Sequence, residues 1–573
     1  MKTKLLFLAL GLISTALFSQ NTSLDWAVRM GGLGNEIGYS ITTDKKGNIY
    51  ATGTFSGTVD FDPGPDTFNL TSAGLTDIYI QKLDAEGGFL WAIKMGGRNL
   101  DAGYSIATDS NGNIYTTGLF RKTVDFAPGD STLNFTSAGG NDIFIQKLDS
   151  NGTLVWVKQI GDKLHDGALS IATDAQGNVY ITGSFQGTVD FDPGDDTLSF
   201  TSKGSFDVFV QKLNTNGDLI WAKQMGGGNF DRGNAVTTDK KGNVYVTGNF
   251  TLTVDFDPDS GTTELTAVDR ADAFVQKLDS NGALVWVKQI AGSANDIAYS
   301  TAIDNQGNVY TTGYFQNSAE FNFGSKGTRI ASLGKDDIFV QKLDAKGTLI
   351  WVKQMGGSSK KQTGISTSNN LGKSIIIDAK GEIYTTGYFS DTVDFDPGVD
   401  TMNLISAGAK DFFLQKLDTN GNLIWVEQLG DSAIDEGFSL TMDKEGNLYT
   451  IGTFTHTIDF DFGSDTFNLT SVRNQDIFIQ KLIPKTVIVT TASSPSLHKA
   501  SLFPNPTRSK VNILLGGMTN VSLKIVNLKG AVVYQKANLN GKSYSFDLKV
   551  AKGVYLVELI SNYKRQQHKL IIE

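Results

Sequence analysis

Seven tryptophans divide most of the chain into segments of nearly equal length. Five successive intervals between them are 65 residues long, and the sixth is 74 residues long because of a nine-residue insertion within residues 358–370. Self-similarity at a fixed period of this size indicates a repeat architecture such as a solenoid or a propeller. The tryptophans are Trp26, Trp91, Trp156, Trp221, Trp286, Trp351 and Trp425.

The sequence of each repeat predicts four β-strands, which we call a, b, c and d in chain order. In residues 102–161, strands a (104–109) and b (113–118) flank a Ser-Asn-Gly turn, and strands c (142–149) and d (153–159) flank another. The connection between b and c is longer and reads as a hairpin of its own. β-Branched and aromatic residues alternate along these segments, and no stretch has a sustained helical period. The sequence therefore predicts an all-β fold.

The two ends of the repeat region complement each other. Residues 24–30 read as a lone d strand, whereas residues 476–482 read as a c strand that no d strand follows. A ring closed by the N-terminal strand would complete the last repeat and leave no exposed sheet edge, whereas an open solenoid would need capping repeats. We therefore predict a seven-bladed β-propeller over residues 21–483, closed by the N-terminal strand.

The repeated residues also resemble a known family. The pattern Asp-x-x-Gly-Asn-Val-Tyr-x-Thr-Gly of residues 174–183 recurs, as does Gln-Lys-Leu-Asp followed by Leu-x-Trp. These motifs resemble the SBBP family of β-propeller repeats, and the strand order is similar to that of NHL-type propellers. The resemblance implies a fold and leaves the function open.

The N-terminus reads as a signal peptide over residues 1–20. Lys2 and Lys4 precede an apolar stretch over residues 5–18, which is shorter than the roughly 20 residues of a membrane span. No other stretch approaches that length, so we expect no transmembrane segment. The chain contains no cysteine, so an exported form must rely on its own core rather than on disulfides.

Beyond a linker over residues 484–500, residues 501–573 resemble the type A sorting domain of the type IX secretion system. The resemblance implies a small β-sandwich that contacts the secretion machinery, and export across the outer membrane of a Bacteroidetes-type bacterium to the surface or the medium. The tail is usually removed and replaced by attachment to surface lipopolysaccharide. The matching residues include Pro504, Asn505, Pro506, Gly530, Gly553, Tyr555 and Lys569.

The charge distribution supports two domains. The net charge is −10, but residues 501–573 contain 11 Lys or Arg and 3 Asp or Glu, which gives +8 and leaves −18 for residues 1–500. An acidic repeat region lacks the basic face of a nucleic-acid-binding protein. We therefore expect no nucleic-acid partner.

The long b–c connections and the insertion at residues 358–370 fall on one face of the predicted disc, the face of the b–c and d–a connections. Elaborated loops on one side of a repeat scaffold usually form its binding side. We expect a glycan or protein ligand there. The insertion is the feature that most clearly distinguishes one repeat from the others.

The b–c connections of four repeats carry aspartates at alternate positions around a glycine. Such oxygen ligands suit calcium, whereas the alternative interpretation is a turn in which the aspartates accept bonds from their own backbone. The pattern is broken in the other repeats, as at Ala127, Asp259, Glu320 and Asn322. Calcium is the one cofactor that we consider. The aspartates are Asp60, Asp62, Asp66, Asp190, Asp192, Asp196, Asp394, Asp396, Asp400, Asp459, Asp461 and Asp465.

Acidic residues also recur in the d–a connections. A carboxylate that occurs in nearly every repeat is typical of a structural role, because an active site needs residues that the other repeats lack. We therefore assign no catalytic residue. The four histidines lack metal-ligand spacing, and one tryptophan per repeat is typical of packing between blades. The acidic residues are Glu36, Asp101, Asp166, Asp231, Asp296 and Asp435.

Three functions remain open from the sequence. The leading hypothesis is a non-enzymatic cell-surface or secreted protein with a binding or adhesion role. The second is a hydrolase or lyase that acts on extracellular polysaccharide, and the third is a structural surface-layer component. A perturbed carboxylate beside an Arg or His in a deep central pocket would favour the enzyme.

Overall fold

The computed structural model describes residues 22–127, 129, 131–322, 327–357, 369–463, 465–484, 501–503, 505–515, 520–527, 531–541, 543–561 and 564–573. Every regular element in these ranges is a β-strand. The predicted signal peptide, most of the insertion and nearly all of the linker lie outside them. The chain divides into two compact units, Met1–Lys485 and Thr486–Glu573.

The strands of the first unit recur in the predicted order a, b, c, d. The a strands are β2 (Ile37–Thr43), β8 (Ala102–Thr108), β12 (Gly167–Thr173), β18 (Arg232–Thr238), β22 (Ile297–Ile303), β26 (Leu371–Ile377) and β32 (Glu436–Met442). The b strands are β3 (Ile49–Phe55), β9 (Ile114–Asp125), β13 (Val179–Phe185), β19 (Val244–Asp255), β23 (Val309–Phe321), β27 (Ile383–Phe389) and β33 (Leu448–Phe454).

The c strands are β6 (Asp77–Leu83), β10 (Asn134–Leu148), β16 (Asp207–Leu213), β20 (Glu264–Leu278), β24 (Thr328–Leu343), β30 (Asp411–Leu417) and β36 (Asp476–Pro484). The d strands are β1 (Thr22–Gly32), β7 (Phe89–Gly97), β11 (Leu154–Ile160), β17 (Leu219–Gly227), β21 (Leu284–Gly292), β25 (Leu349–Met355) and β31 (Leu423–Leu429).

The b–c connections form the hairpins that the sequence predicts. In three repeats the hairpin continues the long b and c strands, as between β9 and β10. In the other repeats it is a separate pair of short strands, which are β4 (Thr58–Asp60) with β5 (Asn69–Thr71), β14 (Thr188–Asp190) with β15 (Ser199–Thr201), β28 (Thr392–Asp394) with β29 (Asn403–Ile405), and β34 (Thr457–Asp459) with β35 (Asn468–Thr470).

Within each repeat, a pairs with b, b with c and c with d, all antiparallel, as in the third repeat. The a–b turn explains the repeated Asp-x-x-Gly-Asn motif. The Asp109 carboxylate accepts the backbone N–H groups of Asn111 and Asn113, at 2.8 and 3.0 Å. Gly112 has a φ of 83°, which favours glycine at this position. The motif therefore builds a tight turn.

The first and last strands of the repeat region share a sheet. β1 pairs antiparallel with β36, with Met30 opposite Ile477 and Ala27 opposite Gln480. The a strands also follow one another in a cycle, in the order β2, β8, β12, β18, β22, β26, β32 and back to β2. The N-terminal strand therefore supplies the d strand that the last repeat lacks.

The tryptophans lie between repeats, as the sequence predicts. Trp156 Nε1 donates to the backbone oxygen of Thr215, in the c–d turn of the next repeat, at 3.2 Å. Its ring also packs against Tyr115 of its own repeat, with 6.1 Å between centroids. Lys147 Nζ donates to the same Thr215 oxygen at 2.8 Å and lies over the Tyr115 ring. We call this arrangement of Trp, Lys and turn carbonyl the turn latch.

The second unit consists of two sheets that share one core. β37 (Ser501–Phe503), β38 (Lys510–Leu514) and β41 (Ser543–Asp547) form the first sheet, and β40 (Val532–Leu539), β39 (Val521–Asn527), β42 (Gly553–Ser561) and β43 (Lys564–Ile572) form the second. Buried side chains of both sheets pack together, including Val511, Ile525 and Val557.

The sorting-domain residues within the described ranges contribute to this unit. Asn505 bonds to the last strand through both ends of its amide: Nδ2 donates to Lys569 O at 2.6 Å, and Oδ1 accepts Ile571 N–H at 2.9 Å. The buried Tyr555 donates its hydroxyl to Ala551 O at 2.7 Å. Pro506 follows Asn505, and Gly553 begins β42. Pro504 and Gly530 lie outside the described residues.

The pairing of β1 with β36 predicts that the N-terminal strand stabilises all the repeats. We expect deletion of residues 22–32 to lower the thermal unfolding midpoint by more than about 5 °C, because it exposes the edge of β36 and removes the buried Ala27 and Met30. Calorimetry and light scattering would measure unfolding and aggregation. As a control, deletion of residues 501–573, which have their own core, should leave the repeat transition in place. An unchanged midpoint after deletion of β1 would refute a stabilising role.

Candidate functional site

The aspartates of the b–c connections act as turn residues. Asp60 Oδ1 accepts the backbone N–H groups of Asp62 at 3.1 Å and of Phe68 at 2.9 Å, and Asp62 Oδ1 accepts that of Gly64 at 2.7 Å. The aspartates equivalent to these two in the third, sixth and seventh repeats make the same bonds, whereas the last aspartate of each pattern is exposed. The exposed ones are Asp66, Asp196, Asp400 and Asp465.

The same backbone bonds are made where the acidic pattern is broken. In the second repeat, Asp125 Oδ1 accepts the N–H groups of Ala127 and Leu133, at 3.0 and 2.8 Å. Among the residues that the structure describes, no three His, Asp or Glu side chains are grouped so that they could hold a metal ion. Turn formation therefore accounts for the first two aspartates of the pattern without a ligand, and calcium binding stays a prediction.

The calcium hypothesis predicts a rise in the thermal unfolding midpoint when calcium replaces chelator. Asp62→Ala or Asp192→Ala should abolish that rise, because each removes one of the alternating carboxylates. Asp125→Ala, in a loop where alanine already interrupts the pattern, is the matched control and should keep the calcium effect. Equal midpoints in calcium and in chelator would assign the aspartates to turn formation alone.

The acidic residues of the d–a connections are buried and bind the backbone. Asp231 accepts N–H groups from Gly227, at the end of the preceding d strand, and from Thr251, near the end of strand b, at 2.8 and 2.9 Å. Asp101, Asp166 and Asp435 likewise each accept two backbone N–H groups. These carboxylates therefore fasten one repeat to the next, as their regular recurrence indicates.

The strength of this backbone binding differs between repeats. Asp296 Oδ1 accepts the Gln316 N–H at 3.2 Å, while its buried Oδ2 has no hydrogen-bond partner within the described residues. Burial raises the pKa of these carboxyls, and backbone N–H groups oppose the rise by favouring the charged form. The pKa is raised to about 6 at Asp101 and Asp231, to about 7 at Asp166 and Asp435, each of which has two other aspartates nearby, and to about 8 at Glu36 and Asp296.

These raised pKa values make stability depend on pH. A carboxyl whose pKa is higher in the folded state stabilises the fold below its unfolded pKa of about 4, and this contribution is lost as pH rises through the folded value. We therefore expect these groups to lower the thermal midpoint between about pH 5 and pH 8, with Glu36 and Asp296 acting at the upper end of this window.

The sixth repeat offers a natural control for this prediction. Asn370 occupies the equivalent position, where Oδ1 accepts the Ser390 N–H at 3.0 Å and Nδ2 donates to Asp336 O at 2.9 Å. Asp296→Asn should therefore fold, raise the thermal midpoint by about 2 °C at pH 8.5 and have little effect at pH 5. Calorimetry across pH would measure this, and an equal shift at both pH values would contradict the assignment.

A second set of buried aspartates, which the sequence motifs did not single out, begins the core of each c strand. Asp207 Oδ2 accepts the side-chain amide of Gln224 at 2.7 Å, and Gly226 packs so closely that a Cβ there would lie 2.0 Å from the carboxylate. In six repeats, an aspartate at the start of the core of strand c with a polar residue 17 positions later is a visible signal, whereas Asp476 pairs with Arg29 of β1. The members are Asp77, Asp142, Asp207, Asp272, Asp337, Asp411 and Asp476.

The a strands differ from repeat to repeat at their first and third residues. The third residues of neighbouring a strands meet, since the Tyr39 ring contacts both Tyr104 and Phe438, with 5.2 and 5.6 Å between centroids. The first residues are Ile37, Ala102, Gly167, Arg232, Ile297, Leu371 and Glu436, and the third are Tyr39, Tyr104, Leu169, Asn234, Tyr299, Lys373 and Phe438. Charged groups therefore occur in the fourth, sixth and seventh repeats alone.

Arg232 lines a cavity of about 300 Å³, which we call the arginine cavity. Tyr104 and the rings of Phe206 and Phe230 contribute to its wall, and those two rings pack edge to face with 5.4 Å between centroids. Within the described part of the chain, the Arg232 side chain makes no hydrogen bond or ion pair. Burial lowers the pKa of Arg232, opposed by nearby tyrosines. The cavity therefore presents an uncompensated cation.

Lys373 lies near Arg232, and Lys410 lies near Lys373. Lys373 Nζ lies 3.7 Å from the centroid of the Tyr299 ring, and burial lowers the pKa of Lys373 to about 8, with Arg232 contributing. Lys410 Nζ contacts the Tyr388 ring at 4.3 Å and forms an ion pair with Glu436 Oε1 at 2.6 Å. We call Arg232, Lys373, Lys410 and Glu436 the cationic cluster; it has one carboxylate for three cations.

Asp166 and His165 also line the arginine cavity. Both Asp166 oxygens accept backbone N–H groups, so this carboxylate is engaged in the scaffold although burial raises its pKa to about 7. Of the other histidines, His456 is exposed and bonds to Asp431 at 2.8 Å, whereas His498 lies outside the described residues. The cavity thus contains a carboxylate with a raised pKa together with Arg and His, but both oxygens of that carboxylate are already hydrogen-bonded to the backbone.

Comparison with known proteins identifies the class. A family model described as a β-propeller repeat matches residues 25–54, 95–119, 220–249 and 285–314, and one described as a secretion system C-terminal sorting domain matches residues 501–573. The chain is therefore a β-propeller-repeat protein that carries an export signal at its C-terminus. More particularly, the four matched segments are of the SBBP repeat family, and residues 501–573 match a type IX sorting domain, which indicates export to the cell surface or the medium.

Two curated proteins show weaker similarity. An uncharacterized WD repeat-containing protein, L264 of Acanthamoeba polyphaga mimivirus, is 25% identical over 76% of this chain and 36% of its own length. The regulatory protein FlaEY of Caulobacter vibrioides is 26% identical over 33% of this chain and 20% of its own length. The chain thus spans about a third or less of these relatives.

Among solved structures, a protein of unknown function from Bacteroides thetaiotaomicron matches at 11% identity, covering 71% of this chain and 94% of its own, with a TM-score of 0.18. Among the described residues, no helix has the length and apolar character needed to cross a membrane.

Proposed function

We propose that this chain is a cell-surface or secreted binding protein that holds a glycan or protein at the centre of its elaborated face. The cationic cluster is the observation that carries the proposal. Most repeated polar groups bind the scaffold itself, whereas Arg232 has no such partner within the described residues. A few polar groups that converge in a cavity with aromatic walls are the usual make-up of a binding site.

We also infer that the repeats close into a seven-bladed propeller and that residues 501–573 form a β-sandwich. The cyclic order of the a strands and the pairing of β1 with β36 support the first inference, and two sheets around one core support the second. An N-terminal signal peptide and a Bacteroidetes source agree with the sorting domain. In a closed ring, the cationic cluster lies at the axis, where loops of every blade surround a ligand.

A lyase or hydrolase acting on extracellular polysaccharide is the second candidate. It is favoured by one observation, that Arg232, His165 and Tyr104 share a cavity. A lyase needs a cation to neutralise a carboxylate and a base to remove the adjacent proton. Against it, the raised pKa at Asp166 belongs to a carboxylate that binds the backbone. A structural surface-layer role would not explain why Arg232 has no ion-pair partner within the described residues.

Binding screens of glycans and proteins against the purified protein test this proposal. We expect at least one class to bind and the double variant Arg232→Gln/Lys373→Gln to weaken this binding at least about tenfold, because it removes the guanidinium that lines the cavity and the neighbouring ammonium group. Lys444→Gln, an exposed lysine of an a–b turn, is the control. Unchanged affinity of the double variant would place the ligand elsewhere. Release of unsaturated or shortened sugars by wild-type protein would favour the enzyme instead.

A further inference from the structure

The identity of the ligand follows from the charge and shape of the arginine cavity. A half-buried guanidinium loses most of its hydration, so proteins normally pair it with a carboxylate or phosphate. Arg232 has no such partner within the described residues, although residues 1–500 carry a net charge of −18. In so acidic a region a counterion was available to the scaffold, and its absence indicates that an external anion pairs with Arg232.

The charged groups around Arg232 have other partners. Lys373 has a ring contact with Tyr299 and no hydrogen bond within the described residues, while Glu436 is held by Lys410. The nearby acids are engaged: Asp336 accepts the Gln316 amide at 2.5 Å, and Asp166 binds the backbone. Within the described residues, neither Arg232 nor Lys373 forms an ion pair with a carboxylate.

The guanidinium fork and the aromatic wall select the type of anion. Arginine binds a planar carboxylate through two parallel hydrogen bonds, which a lysine cannot do. Tyr104, Phe206 and Phe230 line the same cavity of about 300 Å³ and offer flat apolar surfaces to the C–H face of a ring. A ligand that satisfies both within so small a volume carries its carboxylate directly on a ring. An acidic side chain of a peptide instead lies on a flexible arm without a ring.

We infer that the arginine cavity binds a uronate-type acidic sugar, with its carboxylate on the Arg232 guanidinium and its ring against Tyr104, Phe206 and Phe230. This inference rests on the proposed function and narrows its ligand class to acidic polysaccharide. Lys373 supplies long-range attraction, and Asn141 and His165 in the same wall offer polar groups to the hydroxyls of the sugar. The volume suits one or two sugar rings, so a chain end is recognised rather than a long internal segment.

Calorimetric titration with oligogalacturonate, and with the same oligosaccharide after methyl esterification, tests the inference. The ester keeps the ring and hydroxyls but removes the charge. We expect wild-type protein to bind the acid at least about 30-fold more tightly than the ester, and Arg232→Gln to remove that difference. Arg232→Lys should restore only part of it, because the fork is lost. Arg121→Gln changes the same charge at an exposed position of β9 and should bind as wild type.

The outcomes separate this inference from the broader proposal. Equal affinity for acid and ester, or an Arg232→Gln variant that folds by thermal unfolding yet binds as wild type, would overturn the carboxylate assignment. If neither oligogalacturonate, oligoglucuronate nor their esters bind, the inference is wrong. A neutral glycan or protein that binds in the wider screen would still uphold the proposed function in that case.

Discussion

The turn latch is the interaction that joins neighbouring repeats at three junctions, including the one between the two ends of the repeat region. In the second repeat, Trp156 and Lys147 both donate to Thr215 O of the next repeat, and the third repeat bonds to Ser280 O in the same way through Trp221 and Lys212. The same bond joins the two ends of the region, since Trp26 and Lys481 both donate to Ala85 O, at 3.3 and 2.9 Å. Each latch satisfies a turn carbonyl and covers an aromatic ring with a lysine stem, so the junction between the ends is equivalent to the internal ones.

This regularity supports a structural role for the recurring acidic residues. A residue that recurs in every repeat is placed by the scaffold, and the d–a carboxylates hold the end of one d strand against the next b strand through backbone N–H groups. The first two aspartates of the b–c pattern likewise accept backbone N–H groups, within their own hairpins. Since most repeated polar groups are used in this way, specificity must come from positions where the repeats differ.

The sequence predicts the scaffold better than the site, and for a physical reason. The period, the strands, the hairpin connections, the tryptophan packing and the sorting domain follow from local patterns that recur or match a family. The cationic cluster consists of residues such as Arg232 and Lys373 that interrupt a pattern and lie about 140 residues apart, so only the ring of a strands brings them together. Aligning the first and third residues of each a strand would have shown Arg232 against Ile297 and Lys373 against Tyr299.

The cationic cluster also has an energetic cost that the other repeats avoid. Half-buried cations without a paired carboxylate destabilise a fold, and apolar or aromatic residues at the same positions elsewhere show that the scaffold does not require them. Natural proteins tolerate such a cost where function needs it. The acidic composition of residues 1–500 makes these cations exceptional, because carboxylates that could pair with them are abundant in the same region. An anion bound at Arg232 would offset this cost by supplying the missing counter-charge.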